Sequence, residues 1–217
     1  MLKNMLQNQK KYNIPLVIST VCCVALLLIR NIIVGNKDYN FLLWNLFLAI
    51  IPFIIAFLLE SNYKKFNKLT LLLGGFFWLL FYPNAPYMVS DLIHVNKTSS
   101  IVLYDTLIIF SLSTLALFFG FYSLKLIYIV IKKSRNHKFA LSIMCFSILL
   151  SSFGIFLGRI LRLNSWDIFT KPIQTLILIF DHLFPITKNP TTYLIIILFS
   201  FVQFMVLYLV QGFKHTE

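Results

Sequence analysis

Long apolar runs separated by short polar segments dominate the chain. Most are close to the roughly 20 residues that a helix needs to cross a bilayer, and they lack the alternation of membrane-spanning β-strands. Because lipid offers backbone groups no hydrogen bonds, such runs must form helices. The sequence therefore predicts an all-α fold, a polytopic transmembrane helix bundle with about six spans at residues 14–33, 41–59, 69–89, 101–131, 139–161 and 192–213.

One further apolar segment, residues 172–184, is shorter than a bilayer crossing. Its apolar stretch ends at Asp181 and His182, so it predicts either an interfacial helix or a short seventh span. No internal repeat is visible, and no linker rich in Gly, Ser or Pro divides the chain. We therefore expect a single transmembrane domain over residues 1–217, with six spans preferred.

Composition and charge agree with a lipid environment. Hydrophobic residues make up 59% of the chain and charged residues only 12%, which is too apolar for an ordinary soluble domain. The net charge of +12 comes mostly from Lys and Arg clusters between the runs, and such loops stay on the cytoplasmic side. We expect the N-terminus inside, the lipid bilayer as a partner, and no nucleic-acid partner, because no basic stripe with exposed aromatics occurs.

The third span carries an unusual segment, Tyr-Pro-Asn-Ala-Pro-Tyr-Met-Val-Ser-Asp-Leu-Ile-His at residues 82–94. A helix from Leu69 to Tyr82 rises only about 21 Å, so the prolines fall inside the membrane. They remove backbone donors and predict a break, with Asn84 and Tyr87 placed to satisfy the freed carbonyls. Broken helices often line binding sites, although a kink can also serve only to shape the bundle.

Three acidic or basic side chains near this break are candidates for catalysis. Asp91 and His94 share a helix face at spacing i, i+3, as a base and its partner would, and Asp105 opens the fourth span, where a carboxylate needs a partner. Two residues do not make a metal site, so we predict no metal. Whether the protein is an enzyme, and with what cofactor, stays open.

A second polar segment, Gly-Arg-Ile-Leu-Arg-Leu-Asn-Ser-Trp-Asp at residues 158–167, follows the fifth span. Arg159 and Arg162 share a face and can clamp a phosphate or carboxylate, or instead pair with Asp91, Asp105 and Asp167 to lock the bundle. Trp166 is typical of an interfacial anchor. The predicted binding residues are Asn84, Tyr87, Arg159, Arg162, Trp166 and Asp167. Of these, we expect Asn84, Arg159, Arg162 and Asp167 to converge with the catalytic candidates between the third, fourth and fifth spans.

These two motifs together resemble the signatures of a bacterial integral membrane protein family, domain of unknown function 1361, over most of the chain. The resemblance implies a location in the bacterial cytoplasmic membrane. It implies no activity.

Three classes of function fit these observations. The first is binding or processing of an anionic or lipid-linked envelope molecule at an outward-facing site. The second is a transporter or channel component, with the proline break at the substrate site. The third is a structural assembly partner of a membrane complex, whose contact surfaces would be the small-residue pairs Ala116 with Gly120 and Gly154 with Gly158.

Overall fold

A computed structural model of the protein describes residues 2–95, 101–163, 167–184 and 189–212, leaving out the side chains of 2–13, 168 and 209–212. Almost all of these residues are helical. The helices are α1 (Leu2–Val34), α2 (Phe41–Ser61), α3 (Lys68–Phe81), α4 (Asn84–Tyr87), α5 (Val102–Ser134), α6 (His137–Arg159), α7 (Asp167–Thr170), α8 (Pro172–Leu183) and α9 (Pro190–Gly212), with a 3-10 helix at Met88–His94 directly after α4.

Six helical segments in the described part of the chain are long and apolar enough to cross a membrane. They confirm the predicted spans, with α3, α4 and the 3-10 helix forming the third span, Lys68–His94. The short segment forms α8, whose 12 residues rise only about 18 Å. Since the hydrocarbon core is about 30 Å thick, α8 is too short to cross it upright.

Helix α5, which is the fourth span, forms the centre of the bundle. In its most apolar stretch 61% of the residues are buried, against 17% in α1 and 17% in α9. Many large apolar side chains stay exposed, such as Ile32, Leu72 and Ile197, as expected where lipid surrounds the protein. The core therefore lies where α2, α3 and α6 meet α5.

A buried polar side chain joins α9 to the bundle. Gln203 is fully buried; its amide nitrogen donates to Ser152 Oγ at 2.9 Å. Its amide oxygen accepts from Ser151 Oγ and from the Tyr82 hydroxyl, each at 3.4 Å. Hydrogen bonds between helices stabilise bundles in lipid, where water offers no alternative partner. This network places α9 against α6 and against the break in the third span, at Tyr82.

Candidate functional site

The proline segment interrupts the third span at the position that the sequence predicts. The backbone amide of Ala85 donates to the carbonyl of Tyr82 at 3.2 Å, and that of Tyr87 to the carbonyl of Pro83 at 3.0 Å. The Asn84 side chain donates to the carbonyl of Phe81 at 2.9 Å, which satisfies an acceptor at the end of α3. The break is thus a tight, hydrogen-bonded turn rather than an open loop.

Three glycines let α5 and α6 approach this segment closely. A Cβ atom at Gly120 would lie 2.8 Å from the Cβ of Ala85, and one at Gly154 would lie 2.9 Å from the Pro83 ring. At Gly158 an added Cβ would lie 3.1 Å from the Tyr87 ring. At Gly120 and Gly154 a Cβ atom fits only if its neighbours shift, and at Gly158 the contact would be tighter than usual. The two small-residue pairs therefore serve helix contacts within the chain, and they hold the interrupted span between α5 and α6.

Arg159, the last residue of α6, gathers the polar residues that follow the break. Its Nε donates to Ser90 Oγ at 2.8 Å, one terminal nitrogen donates to the carboxylate of Asp91, and the other lies 2.9 Å from Nε2 of His94. A 3-10 helix places side chains at i and i+3 directly above one another. This geometry explains why one guanidinium contacts both Asp91 and His94.

The Arg159 guanidinium is also supported from its face. It lies 4.3 Å from the centre of the Tyr87 ring, a cation–π arrangement. Ser90 in turn donates from Oγ to the carbonyl of Tyr87 at 2.6 Å. Hydrogen bonds at the edge of the guanidinium and the Tyr87 ring at its face therefore fix the position of Arg159.

Asp91 is bonded on both of its carboxylate oxygens. Its side chain is fully buried, with Arg159 on one carboxylate oxygen and the Asn45 amide donating to the other at 2.8 Å. A buried carboxylate is stable only when paired and hydrogen-bonded. Sequence reasoning missed both Asn45 and Ser90, although a polar Asn inside the apolar second span is the kind of signal that marks such a partner.

His94 is exposed and is positioned from two sides. Its backbone carbonyl accepts from the Tyr39 hydroxyl at 3.3 Å, and its ring meets Phe41 edge-on at 5.2 Å. Because a guanidinium only donates, Nε2 of His94 is the acceptor in this contact and the ring proton lies on Nδ1. Among the described residues, no three His, Cys, Asp or Glu side chains lie close enough together to hold a metal ion.

A cleft of about 700 Å³ opens beside this cluster, a volume within the usual range of ligand sites. Five predicted site residues line it, and among its described lining residues there is no carboxylate. Its walls are mainly apolar. The lining includes Asn84, Tyr87, His94, Arg159 and Arg162 at the polar end, Phe76, Leu79, Leu80, Leu150, Phe153 and Leu157 along the walls, and Thr175 and Ile179 from α8.

Arg162 lies just beyond α6 in the left-handed region of backbone conformation, with φ of 55°. The turn around it is closed by the amide of Leu163, which donates to the carbonyl of Leu157 at 3.1 Å. This conformation costs a residue with a side chain about 1–2 kcal/mol. The Arg162 side chain is exposed and lines the cleft.

The structure does not bring Asp105 to this cleft. The guanidinium of Arg30 instead binds both oxygens of Asp105, at 3.0 and 3.4 Å, and both side chains are buried. Sequence reasoning missed Arg30, although an arginine within an apolar run is itself a signal. Asp167 begins α7 and its backbone carbonyl accepts from Thr175 Oγ at 3.3 Å, but it does not line the cleft; Trp166 lies outside the described residues.

Six candidate membrane spans define a multi-pass membrane protein, and a cleft lined by arginine lies between α2, the interrupted third span, α6 and α8. Residues 44–206 match the family described as Protein of unknown function (DUF1361), and the chain belongs to that family. The matched range contains both motifs, whereas Arg30 precedes it. No curated protein and no solved structure matches the chain.

Proposed function

We propose that this membrane protein binds an anionic or lipid-linked molecule of the bacterial envelope in the cleft, through Arg159 and Arg162. The observation that supports this most directly is the charge of the lining. Two guanidiniums and a histidine face the recess, and no carboxylate is among its described lining residues. The carboxylate that pairs with Arg159 is buried and does not line the cleft, so the lining itself favours an anion.

The arginine is also preorganised for this task. Each terminal nitrogen of Arg159 carries two N–H groups. One N–H of each is directed at Asp91 or His94, and the second is a further donor. Planar guanidinium donors bind phosphate or carboxylate oxygens in pairs. Because Asp91, Ser90 and Tyr87 already hold the group in place, binding costs little side-chain entropy.

The charge distribution supports an outward-facing cleft. The loops at the opposite end of the bundle, between α2 and α3 and between α5 and α6, carry most of the clustered cations. Loops rich in Lys and Arg stay in the cytoplasm, which would put the N-terminus inside and the cleft outside. The cations of those two loops and their borders are Lys64, Lys65, Lys68, Lys132, Lys133, Arg135 and Lys138.

The catalytic candidates take different roles in this proposal. Asp91 is a positioning residue, since both of its oxygens are bonded and its side chain is buried. His94 lines the cleft, and because its Nε2 accepts from Arg159, the group it offers a bound molecule is the Nδ1–H donor. Asp105 belongs to a separate ion pair with Arg30.

The test is binding of short-chain phosphatidylglycerol to the full chain in a zwitterionic detergent, with short-chain phosphatidylcholine as the neutral comparison. A ligand that binds only the folded state raises its stability, by about 2.7 kcal/mol at a concentration 100 times Kd. We expect this shift in the wild type with phosphatidylglycerol and not with phosphatidylcholine.

The matched variants are Arg159→Gln, Arg162→Gln and Arg135→Gln. The first two remove cleft cations, and the third removes an exposed arginine at the other end of the bundle. We expect at least a tenfold loss of affinity for the cleft variants and none for Arg135→Gln. Arg162 is exposed and outside the buried pair, so its variant tests binding even if Arg159→Gln folds poorly. Equal stabilisation by both lipids, or unchanged affinity in Arg162→Gln, would overturn the proposal.

A further inference from the structure

The cleft has two chemically different parts, and we infer from them that its occupant is a phosphate-bearing lipid with its chain inside the cleft. This inference rests on the proposed function and adds the class of ligand. A soluble anion would use only the polar end. The apolar walls have a use only if part of the ligand is apolar as well.

The polar and apolar parts follow one another along the same helix. Arg159 ends α6, while Leu157, Phe153 and Leu150 precede it on the cleft side at helical spacing. The distance along the axis from Leu150 to Arg159 is about 14 Å. An apolar wall of that length continues from the arginine toward the middle of the bundle, which is the direction that a lipid chain takes from its phosphate.

A second wall runs beside the first. Phe76, Leu79 and Leu80 of α3 line the cleft just before the break, and Asn84 follows at its polar end. Both walls therefore change from apolar to polar in the same direction. This shared polarity matches an amphiphile with one anionic end, because burial of each methylene adds to affinity while the phosphate meets the guanidiniums.

Helix α8 forms one side of the cleft. Thr175 and Ile179 line the cleft, while the opposite face of the helix exposes a continuous apolar stripe. A short helix with this pattern lies in the plane of the interface, at the level of lipid headgroups. A lipid in the same leaflet can therefore reach the cleft from the side, without leaving the bilayer. The stripe consists of Ile173, Leu176, Ile177, Phe180 and Phe184.

The test compares three probes on the full chain in one zwitterionic detergent: inorganic phosphate, glycerol 1-phosphate and dioctanoyl phosphatidylglycerol. If the lipid binds at least tenfold more tightly than glycerol 1-phosphate, and Arg162→Gln weakens it, the inference is supported. If both bind equally and both depend on Arg162, the ligand is a soluble anion; the inference then falls and the proposed function stands. If none of the three binds, both fall.

A pair of neighbouring substitutions tests the apolar wall. Leu150 lines the cleft, whereas Leu149 is exposed beside it and does not. We expect Leu150→Gln to lower the affinity for dioctanoyl phosphatidylglycerol at least tenfold, and Leu149→Gln to leave it unchanged. Native mass spectrometry of the protein released from detergent counts the lipid that stays bound in each variant. Equal lipid retention in the two variants would overturn the inference.

Discussion

Two arginine–aspartate pairs lie near one end of the bundle and are built from the same parts. Arg30 pairs with Asp105, and Arg159 pairs with Asp91. Each guanidinium also lies over a tyrosine ring, at 4.6 Å for Arg30 on Tyr39 and 4.3 Å for Arg159 on Tyr87. Tyr39 even joins the two regions, since its hydroxyl donates to the carbonyl of His94 at 3.3 Å.

The two pairs differ in what remains available on the arginine. Arg30 binds both oxygens of Asp105 and also donates to Asn36, and its side chain is 3% exposed. Arg159 binds only one oxygen of Asp91, is 14% exposed and lines the cleft. The first pair is closed and the second is open on one side. The same chemistry thus gives an enclosed ion pair at Arg30 and an ion pair beside a cleft at Arg159, the group that we propose binds the ligand.

The largest effect is expected where the closed pair is broken. Asp105→Asn leaves Arg30 buried without its counter-charge, and removal of one partner of a buried ion pair costs about 3–5 kcal/mol. Unfolding of the detergent-solubilised protein measures the loss. In folded Asp105→Asn protein, we expect phosphatidylglycerol binding to be unchanged.

The control replaces both partners. Arg30→Met combined with Asp105→Leu removes the charges together, and such replacements are often neutral or stabilising. We expect the double variant to recover most of the stability lost in Asp105→Asn. A double variant less stable than Asp105→Asn would show that the pair has a role beyond mutual neutralisation.

At the pair of Arg159 with Asp91, we expect a smaller loss of stability than in Asp105→Asn and a larger loss of lipid affinity. Asp91→Asn removes a charged hydrogen bond worth about 1.5–3 kcal/mol, but Arg159 keeps Ser90, His94 and some solvent exposure. Parallel unfolding and lipid-binding measurements on Asp91→Asn and Asp105→Asn test this. The comparison of the two pairs fails if both variants lose stability and affinity to the same extent.

A third substitution alters the packing beside the cleft without changing any charged residue. Gly154→Ala places a Cβ 2.9 Å from the Pro83 ring, so the interrupted span must shift, at a cost of about 1–3 kcal/mol. Gly75→Ala is the control, since no atom lies within 4 Å of its added Cβ. We expect Gly154→Ala alone to lower both the unfolding midpoint and lipid affinity.

The smallest effect on stability is expected at Arg162, where we expect a glycine to be tolerated better than an alanine. Its left-handed conformation costs about 1–2 kcal/mol, which Gly avoids, while Gly loses roughly 0.5–1 kcal/mol through greater freedom of the unfolded chain. Arg162→Gly should therefore be more stable than Arg162→Ala, by up to about 1.5 kcal/mol, although we expect both to weaken lipid binding. Unfolding midpoints of these two variants, measured side by side, test the difference; a less stable Gly variant would contradict it.

Hydropathy was sufficient to predict the spans, because span length and apolar content are properties of local sequence. The break at Pro83 and the role of Asn84 at its edge were also predictable, since proline removes a backbone donor wherever it stands. Span length and position also indicated that Asp91, His94 and Arg159 would lie at a similar depth in the membrane.

Depth along the bundle does not determine which helices are neighbours. Asp105 and Asp91 lie at the same end, and the sequence offered no way to tell that α1 would bring Arg30 to one and α6 would bring Arg159 to the other. The part played by Asn45 was hidden for the same reason, because its contact with Asp91 depends on the rotation of α2 about its axis. Pairing of this kind is decided by helix packing, which hydropathy does not report.

The glycine stripe on α6 has a consequence for assembly. Pairs such as Gly154 with Gly158 are the usual means by which two membrane helices from separate chains dimerise. Here that groove is already filled by Pro83 and Tyr87 of the same chain. A second copy could use it only by displacing the segment that carries the cleft, so any oligomer that preserves the site must form through another face.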